Sequence, residues 1–147
     1  MRKALVLVAL TLAGTAAQSQ VRVPFINRQP AQPVLQGMDA LRVEFATQSG
    51  GTTVYFGTES TGLGAPARTV LAAQAAWLRR HPEVVVRIEG YGDGGDTRDH
   101  ALAVGAKRAE EARNYLLLFG VPAAQVTASS WGKERPGLGR AVTILVR

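Results

Sequence analysis

From Val84 to Tyr91 the chain alternates, with Val84, Val86 and Ile88 set against Val85, Arg87 and Glu89. That is the period of a β-strand. The strand runs into a carboxylate, Asp93, and a glycine-rich polar turn, GDGGDTRD. An alanine-rich helical run follows, and within it a guanidinium, Arg108, appears fifteen positions after Asp93. A strand that passes through a short turn into a helix is half of a βαβ unit, so the fold must supply a second strand beyond the helix and a sheet for both. An anion and a fork-shaped cation are then brought back toward one another across the turn.

The rest of the chain supplies those parts. Leu35, Met38, Leu41 and Phe45 recur at three- and four-residue spacing, which predicts a short amphipathic helix ending at Ser49, Gly50 and Gly51; its apolar stripe is expected to pack on the domain. Thr52 to Phe56 is β-branched and aromatic, a first strand. Gly57 to Gly64 reads as a loop, and Pro66 then sits where the first turn of a helix tolerates proline. Val70, Leu71, Ala75 and Leu78 mark the buried stripe of that helix. Arg79, Arg80 and His81 lie at its end, where the helix dipole favours positive charge, and Pro82 stops it. After the central stretch, Ala109, Ala112, Leu116 and Phe119 predict another amphipathic helix, closed by Gly120 with Pro122 beyond. Gln125 to Trp131 and Ala141 to Val146 read as the third and fourth strands. The expected architecture is α/β: a two-layer sandwich with a mixed sheet of about four strands and the helices on one face.

Gly105 interrupts the apolar run between His100 and Leu118. Glycine costs about 1 kcal/mol relative to alanine inside a helix. The expectation is therefore two helical pieces, the longer beginning near Ala106 with Arg108 in its first turn. An anion would be favoured at such a helix start. A ligand with an ammonium and a carboxylate on one carbon would fit between Asp93 and Arg108. The same two residues could equally form an ordinary ion pair, or Asp93 could bond backbone N–H groups of its own turn.

Several function classes are excluded or disfavoured by residue content. The chain has no cysteine, so disulfides, thiolate metal sites and cysteine nucleophiles are absent. Asp93, Asp96 and Asp99 recur every three residues, but a calcium loop of EF-hand type needs ligands at positions 1, 3 and 5 and a closing Glu at 12, where Val104 stands. No metal site is expected from that spacing. His100 has no Ser or Cys partner at a hydrolase spacing, so no enzyme is expected. The formal charge is +6, and the basic residues are scattered, with Arg79 and Arg80 the one arginine doublet; this is not the basic stripe of a nucleic-acid binder.

The first 33 residues read differently. Arg2 and Lys3 precede an apolar run from Ala4 to Ala13 and the small residues Gly14, Thr15, Ala16 and Ala17, the order of a secretory signal with cleavage expected after Ala17. The run is about half the ~20 residues that span a bilayer. Leu12, Ala13 and Gly14 match the start of a lipoprotein signal, but Thr15 replaces the cysteine that would carry lipid. Without a leader carrying Arg2 and Lys3, 15 basic residues face 11 acidic ones. Gln18 to Pro33, with Pro24, Pro30 and Pro33, reads as a flexible linker. The organisation expected is signal peptide 1–17, linker 18–33, short helix and turn 34–51, and a single domain 52–147.

From about Thr53 to Arg147 the chain resembles the OmpA C-terminal domain family, and within it the peptidoglycan-associated lipoproteins. VYFGTES resembles that family's first strand and loop, and VVVRIEGYGD its second strand with the closing Asp. HALAVGAKRAEEARNYLLLFGVPAAQV resembles the family helix with Y-N-x-x-L-G-x-R-R-A, and SSWGKERP its S-Y-G-K-E-R-P. The resemblance implies a non-enzymatic module without cofactor that binds peptidoglycan through meso-diaminopimelate of the stem peptide. Asp93 and Arg108 match the pair that grips the ammonium and carboxylate, and Arg140 matches the second Arg of a later N-R-R motif. It also implies a periplasmic or outer-membrane-associated location in a Gram-negative-type envelope, and Tol-type envelope proteins as partners. A domain that kept the fold for protein interaction and lost the ligand is the alternative. The chain departs from the pattern at Ala101 for Asn, Gly57 for Asp, and Leu138 and Gly139 for the Asn and first Arg of N-R-R; one rim of the pocket is expected to be trimmed.

Overall fold

A computed structural model of the chain describes residues 37–135 and 139–147. The chain divides into two units, Met1–Gln32 and Pro33–Arg147. The expected signal peptide and linker, Leu35, and the segment 136–138 lie outside the described residues.

Helix α1 covers Met38–Gln48 and is followed by Gly50 and Gly51, both with positive φ, which turn the chain into β1, Thr53–Tyr55. Helix α2, Ala65–Arg80, carries proline in its first turn and Arg79 and Arg80 in its last. Strand β2 is Val86–Tyr91 and helix α3 is Arg98–Leu118. The Thr97 side chain caps α3 by accepting from the His100 N–H, and Gly120 closes it at φ 89°. A short 3₁₀ turn, Ala123–Gln125, leads into β3, Val126–Gly132, and β4 is Arg140–Leu145.

The four strands form one mixed sheet in the order β1-β4-β2-β3. β2 and β3, joined through α3, run parallel, as a βαβ unit requires; β4 lies antiparallel between β1 and β2. Strand alternation sorts the residues by face. Val86, Ile88 and Gly90 of β2 face α2 and α3, while Arg87, Glu89 and Tyr91 face away from them. Phe45, Leu71, Trp77, Leu78, Ile88, Leu116 and Val126 are the centre of the core. The α1 stripe packs as expected, with the Phe45 ring set edge-on to Trp77 at 5.1 Å. The buried Thr143 hydroxyl donates to Gln74 Oε1, and the Gln74 amide donates to the Gly51 carbonyl, so a polar side chain of α2 fastens both the sheet and the turn before β1.

Two expectations are corrected. Helix α3 is continuous through Gly105, so no second helix starts near Ala106. The glycine is there because α3 crosses β2 at backbone distance. A Cβ on Gly105 would lie 2.5 Å from Ser130 Oγ and 2.8 Å from the Gly90 carbonyl oxygen, and a Cβ on Gly90 would lie 1.9 Å from the Gly105 carbonyl oxygen. Close packing overrides helix propensity at this position. Phe119, expected on the buried stripe, is 42% exposed and stacks on Tyr115; it is the residue where α3 ends and the backbone leaves helical geometry.

Candidate ligand-binding site

The buried stripe of α3 runs through Ala101, Val104, Gly105, Arg108, Ala109, Ala112 and Leu116. A guanidinium therefore projects from a helix face otherwise made of small and apolar residues, toward the end of β2. Arg108 is 0% exposed. Guanidinium has five N–H donors and no acceptor, and the fold supplies an acceptor for each. Nε donates to the Ser60 carbonyl at 2.8 Å. Nη1 donates to the Tyr91 carbonyl and to Asp93 Oδ1, both at 2.9 Å, and Nη2 to the Gly57 carbonyl at 3.0 Å and Asp93 Oδ2 at 3.2 Å. Its charge also stands 5.4 Å from the centre of the Phe56 ring.

Asp93 completes the exchange. It takes both Nη donors in the fork geometry that suits a carboxylate, and its Oδ2 accepts the Glu59 N–H at 2.7 Å. The Arg108 hydrogen bonds hold the Asp93 carboxyl below the ordinary carboxylate range against the opposing effect of burial, and the Glu59 N–H and the Arg108 charge add to the lowering. Asp93 is thus an ionised, 16% exposed carboxylate over a fully buried cation. The loop from Gly57 to Gly64 is strapped to the pair through Gly57, Glu59 and Ser60. Among the described residues Glu59 is the only non-glycine residue with positive φ, at 55°.

This geometry corrects the arrangement expected for the pair. Arg108 lies in the middle of α3 rather than at a helix start, and the two side chains touch, leaving no gap between them. The structure brings Asp93 and Arg108 together as expected and does not bring Arg140 to them. Arg140 lies on the sheet face away from the helices, its guanidinium 5.4 Å from the centre of the Tyr91 ring. Of the residues where the family pattern is broken, Ala101 is fully buried, and its carbonyl oxygen lies 2.4 Å from where a Cβ on Gly92 would stand. Gly139 forms the rim beside Asp93: its N–H donates to the Gly92 carbonyl, its carbonyl accepts from Phe56, and a Cβ there would lie 3.9 Å from Asp93 Oδ1. The structure adds the backbone of Gly57, Glu59 and Ser60, which sequence reasoning treated as a loop alone. Carbonyl groups have no side-chain signature, so nothing in the residue types marked them.

A mixed four-stranded sheet, helices packed on it, and an aspartate at the end of the second strand clasped by a buried helix arginine define an α/β domain with a strapped acidic site. Residues 55–141 match the OmpA family, and the chain belongs to that family. Among curated proteins it is 42% identical over 86 residues to a peptidoglycan-associated lipoprotein of Agrobacterium fabrum, covering 58% of this chain and 49% of that protein. It is 40% identical over 85 residues to a peptidoglycan-associated lipoprotein of Pseudomonas aeruginosa, covering 58% of this chain and 50% of that one. The chain thus spans about half the length of the curated relatives it matches. Among solved structures, the peptidoglycan-associated lipoprotein from Burkholderia pseudomallei superposes with a TM-score of 0.63 at 33% identity, covering 66% of this chain and 92% of that one. The C-terminal domain of Helicobacter pylori MotB shares the fold at a TM-score of 0.59 and 18% identity, covering 65% of this chain and 84% of that one. Among the described residues no helix is long and apolar enough to cross a membrane.

Proposed function

We propose that this domain binds peptidoglycan non-covalently in the bacterial envelope, as a tether rather than an enzyme, and that the group it recognises is the diaminopimelate of the stem peptide. The observation that carries the reading is Asp93: an ionised carboxylate, partly open to solvent and fixed in place by Arg108 and the Glu59 N–H. The one acceptor site left on Oδ1, of the carboxylate's about four, suits an ammonium. A ligand carboxylate reaches Arg108 by replacing one of its present oxygen acceptors, and such an exchange leaves no buried donor unpaired. Gly57 and Ser60 belong to a loop, so their carbonyls are the acceptors that can yield. Arg140, on the sheet face away from the helices and beside the Tyr91 ring, would meet a different part of a polymeric ligand. Affinity lost at the trimmed rim is offset on a polymer that presents the same stem many times.

Co-sedimentation of the purified chain with isolated sacculi tests this. The wild type is expected to pellet, free meso-diaminopimelate to release it, and Asp93→Asn to remain in the supernatant while keeping the wild-type circular dichroism spectrum. Losing one charge-assisted bond of ~1.5–3 kcal/mol corresponds to about tenfold or more in affinity. Pelleting of Asp93→Asn at the wild-type level would falsify the site.

A second reading is favoured by the closure of the pair. With all five Arg108 donors already used, Asp93 and Arg108 serve the fold, and the domain is a protein-interaction module of the envelope, with a Tol-type protein as the partner class. Wild-type protein that stays in the supernatant with intact sacculi selects this reading.

A further inference from the structure

The loop after β1, the turn after β2 and the first turn of α3 bring three further side chains together. His100 Nε2 lies 3.5 Å from Glu59 Oε2 and 3.7 Å from Asp96 Oδ2. One ligand atom from each of the three residues lies within 4.8 Å of the others. These separations are longer than N–H···O hydrogen bonds, which run at about 2.7–3.2 Å. They match a different arrangement: two ligands held at about 2.1 Å from a tetrahedral ion are themselves about 3.4 Å apart.

Asp96 provides an independent observation. Its side chain is 13% exposed, and its Oδ2, the oxygen turned to His100, is buried with no hydrogen-bond partner among the described residues. A buried carboxylate oxygen without a donor is costly, and a cation beside it removes the cost. The backbone around the group is already set. The His100 N–H is engaged by the Thr97 cap, the Asp96 carbonyl accepts from Lys133, and Glu59 is held at positive φ by its N–H bond to Asp93. The calcium-loop spacing considered along the sequence could not find this set, because it joined Asp96 to Asp93 and Asp99 and left out both Glu59 and the imidazole.

We propose that Glu59, Asp96 and His100 form a binding site for a divalent cation of zinc type, with water completing the coordination. One imidazole and two carboxylates suit a borderline ion such as Zn²⁺; calcium sites are built from oxygen alone. The ion would clamp the Gly57–Gly64 loop to the start of α3. That loop carries the carbonyls that accept from Arg108, so metal binding stiffens the wall of the Asp93 site. The site itself does not depend on what Asp93 binds.

The test is calorimetric titration of the untagged, chelator-treated chain with zinc chloride, with the imidazole signals followed by NMR. The chain has two histidines; His81, stacked on Trp77 at 3.8 Å, is the internal reference. The expected result is one equivalent of Zn²⁺ that moves the His100 signals and leaves those of His81 in place. Asp96→Asn and His100→Ala each weaken binding by at least about tenfold, while Asp99→Asn, an exposed acid of the same turn, leaves it unchanged. No heat and no His100 shift at millimolar zinc overturns the proposal. So does binding that both variants retain in full, or a calcium affinity equal to that for zinc.

Discussion

Arg108 is the residue whose role depends most on its surroundings. Without its partners, a fully buried guanidinium is among the costliest groups to place in a core; here four carbonyl or carboxylate groups, on two stretches of chain, receive its donors. Removing one partner of a buried pair leaves the other uncompensated, at a cost of about 3–5 kcal/mol. Arg108→Ala is therefore expected to lower unfolding free energy by that amount in urea denaturation. Lysine brings a point charge with three donors in place of a five-donor fork, so Arg108→Lys is expected to recover only part of the loss. The pH dependence has a definite sign. Asp93 has a folded-state pKa below its unfolded value, so its stabilising contribution is complete above the unfolded pKa, about 3.9, and is lost as pH falls through the folded value. Thermal melts between pH 5 and 2 should fall more steeply for wild type than for Asp93→Asn. Glu89 keeps some slope in the variant: burial works against its ionisation, yet the neighbouring Trp131, Arg87 and Tyr91 side chains together outweigh it and hold its pKa below the ordinary value.

At the scale of elements, the crossing of α3 over β2 sets the distance between the layers, and two glycines set the crossing. A side chain at Gly90 would meet backbone atoms that cannot move aside, whereas at Gly105 the nearest atom is the Ser130 hydroxyl, a side-chain tip. Gly90→Ala is accordingly expected to prevent folding. Gly105→Ala gains about 1 kcal/mol of helix propensity and loses more to overpacking, typically about 1–3 kcal/mol; a net destabilisation is expected by calorimetry, and Ser130→Ala in the same chain should relieve part of it. The sequence showed that Gly105 was anomalous. Its spacing within one helix could not show that the cause lay in another element, and so the anomaly read as a break.

For the molecule as a whole, α1 lies outside the matched family residues 55–141 and joins the core through the fully buried Phe45 ring, with Met38 and Leu41 partly buried beside it. Phe45 is fully buried against Trp77, and the Trp77 indole N–H donates to Glu44 Oε1. Phe45→Ala is expected to cost about 3–5 kcal/mol, and hydrogen exchange should report the loss first in α1 and the turn before β1. The order of strands and helices, most of their approximate ends, and the approach of Asp93 to Arg108 were legible in the amino-acid sequence; the start of α3 at Arg98 was not. Each rests on signals a few residues long, such as a period of two or 3.6, a proline in a first turn, or a glycine after a last one, and on a motif of fixed spacing. What the tertiary structure alone decided are facts about distance between remote parts. These include that the pair closes on itself, that the Gly57 and Ser60 carbonyls satisfy an arginine 51 and 48 positions away, that Arg140 faces the other side of the sheet, and that Glu59 meets Asp96 and His100. A backbone carbonyl looks the same in every residue, and a charge has no partner until the chain is folded. The sequence therefore determined which elements form, and packing between them determined what their polar groups touch.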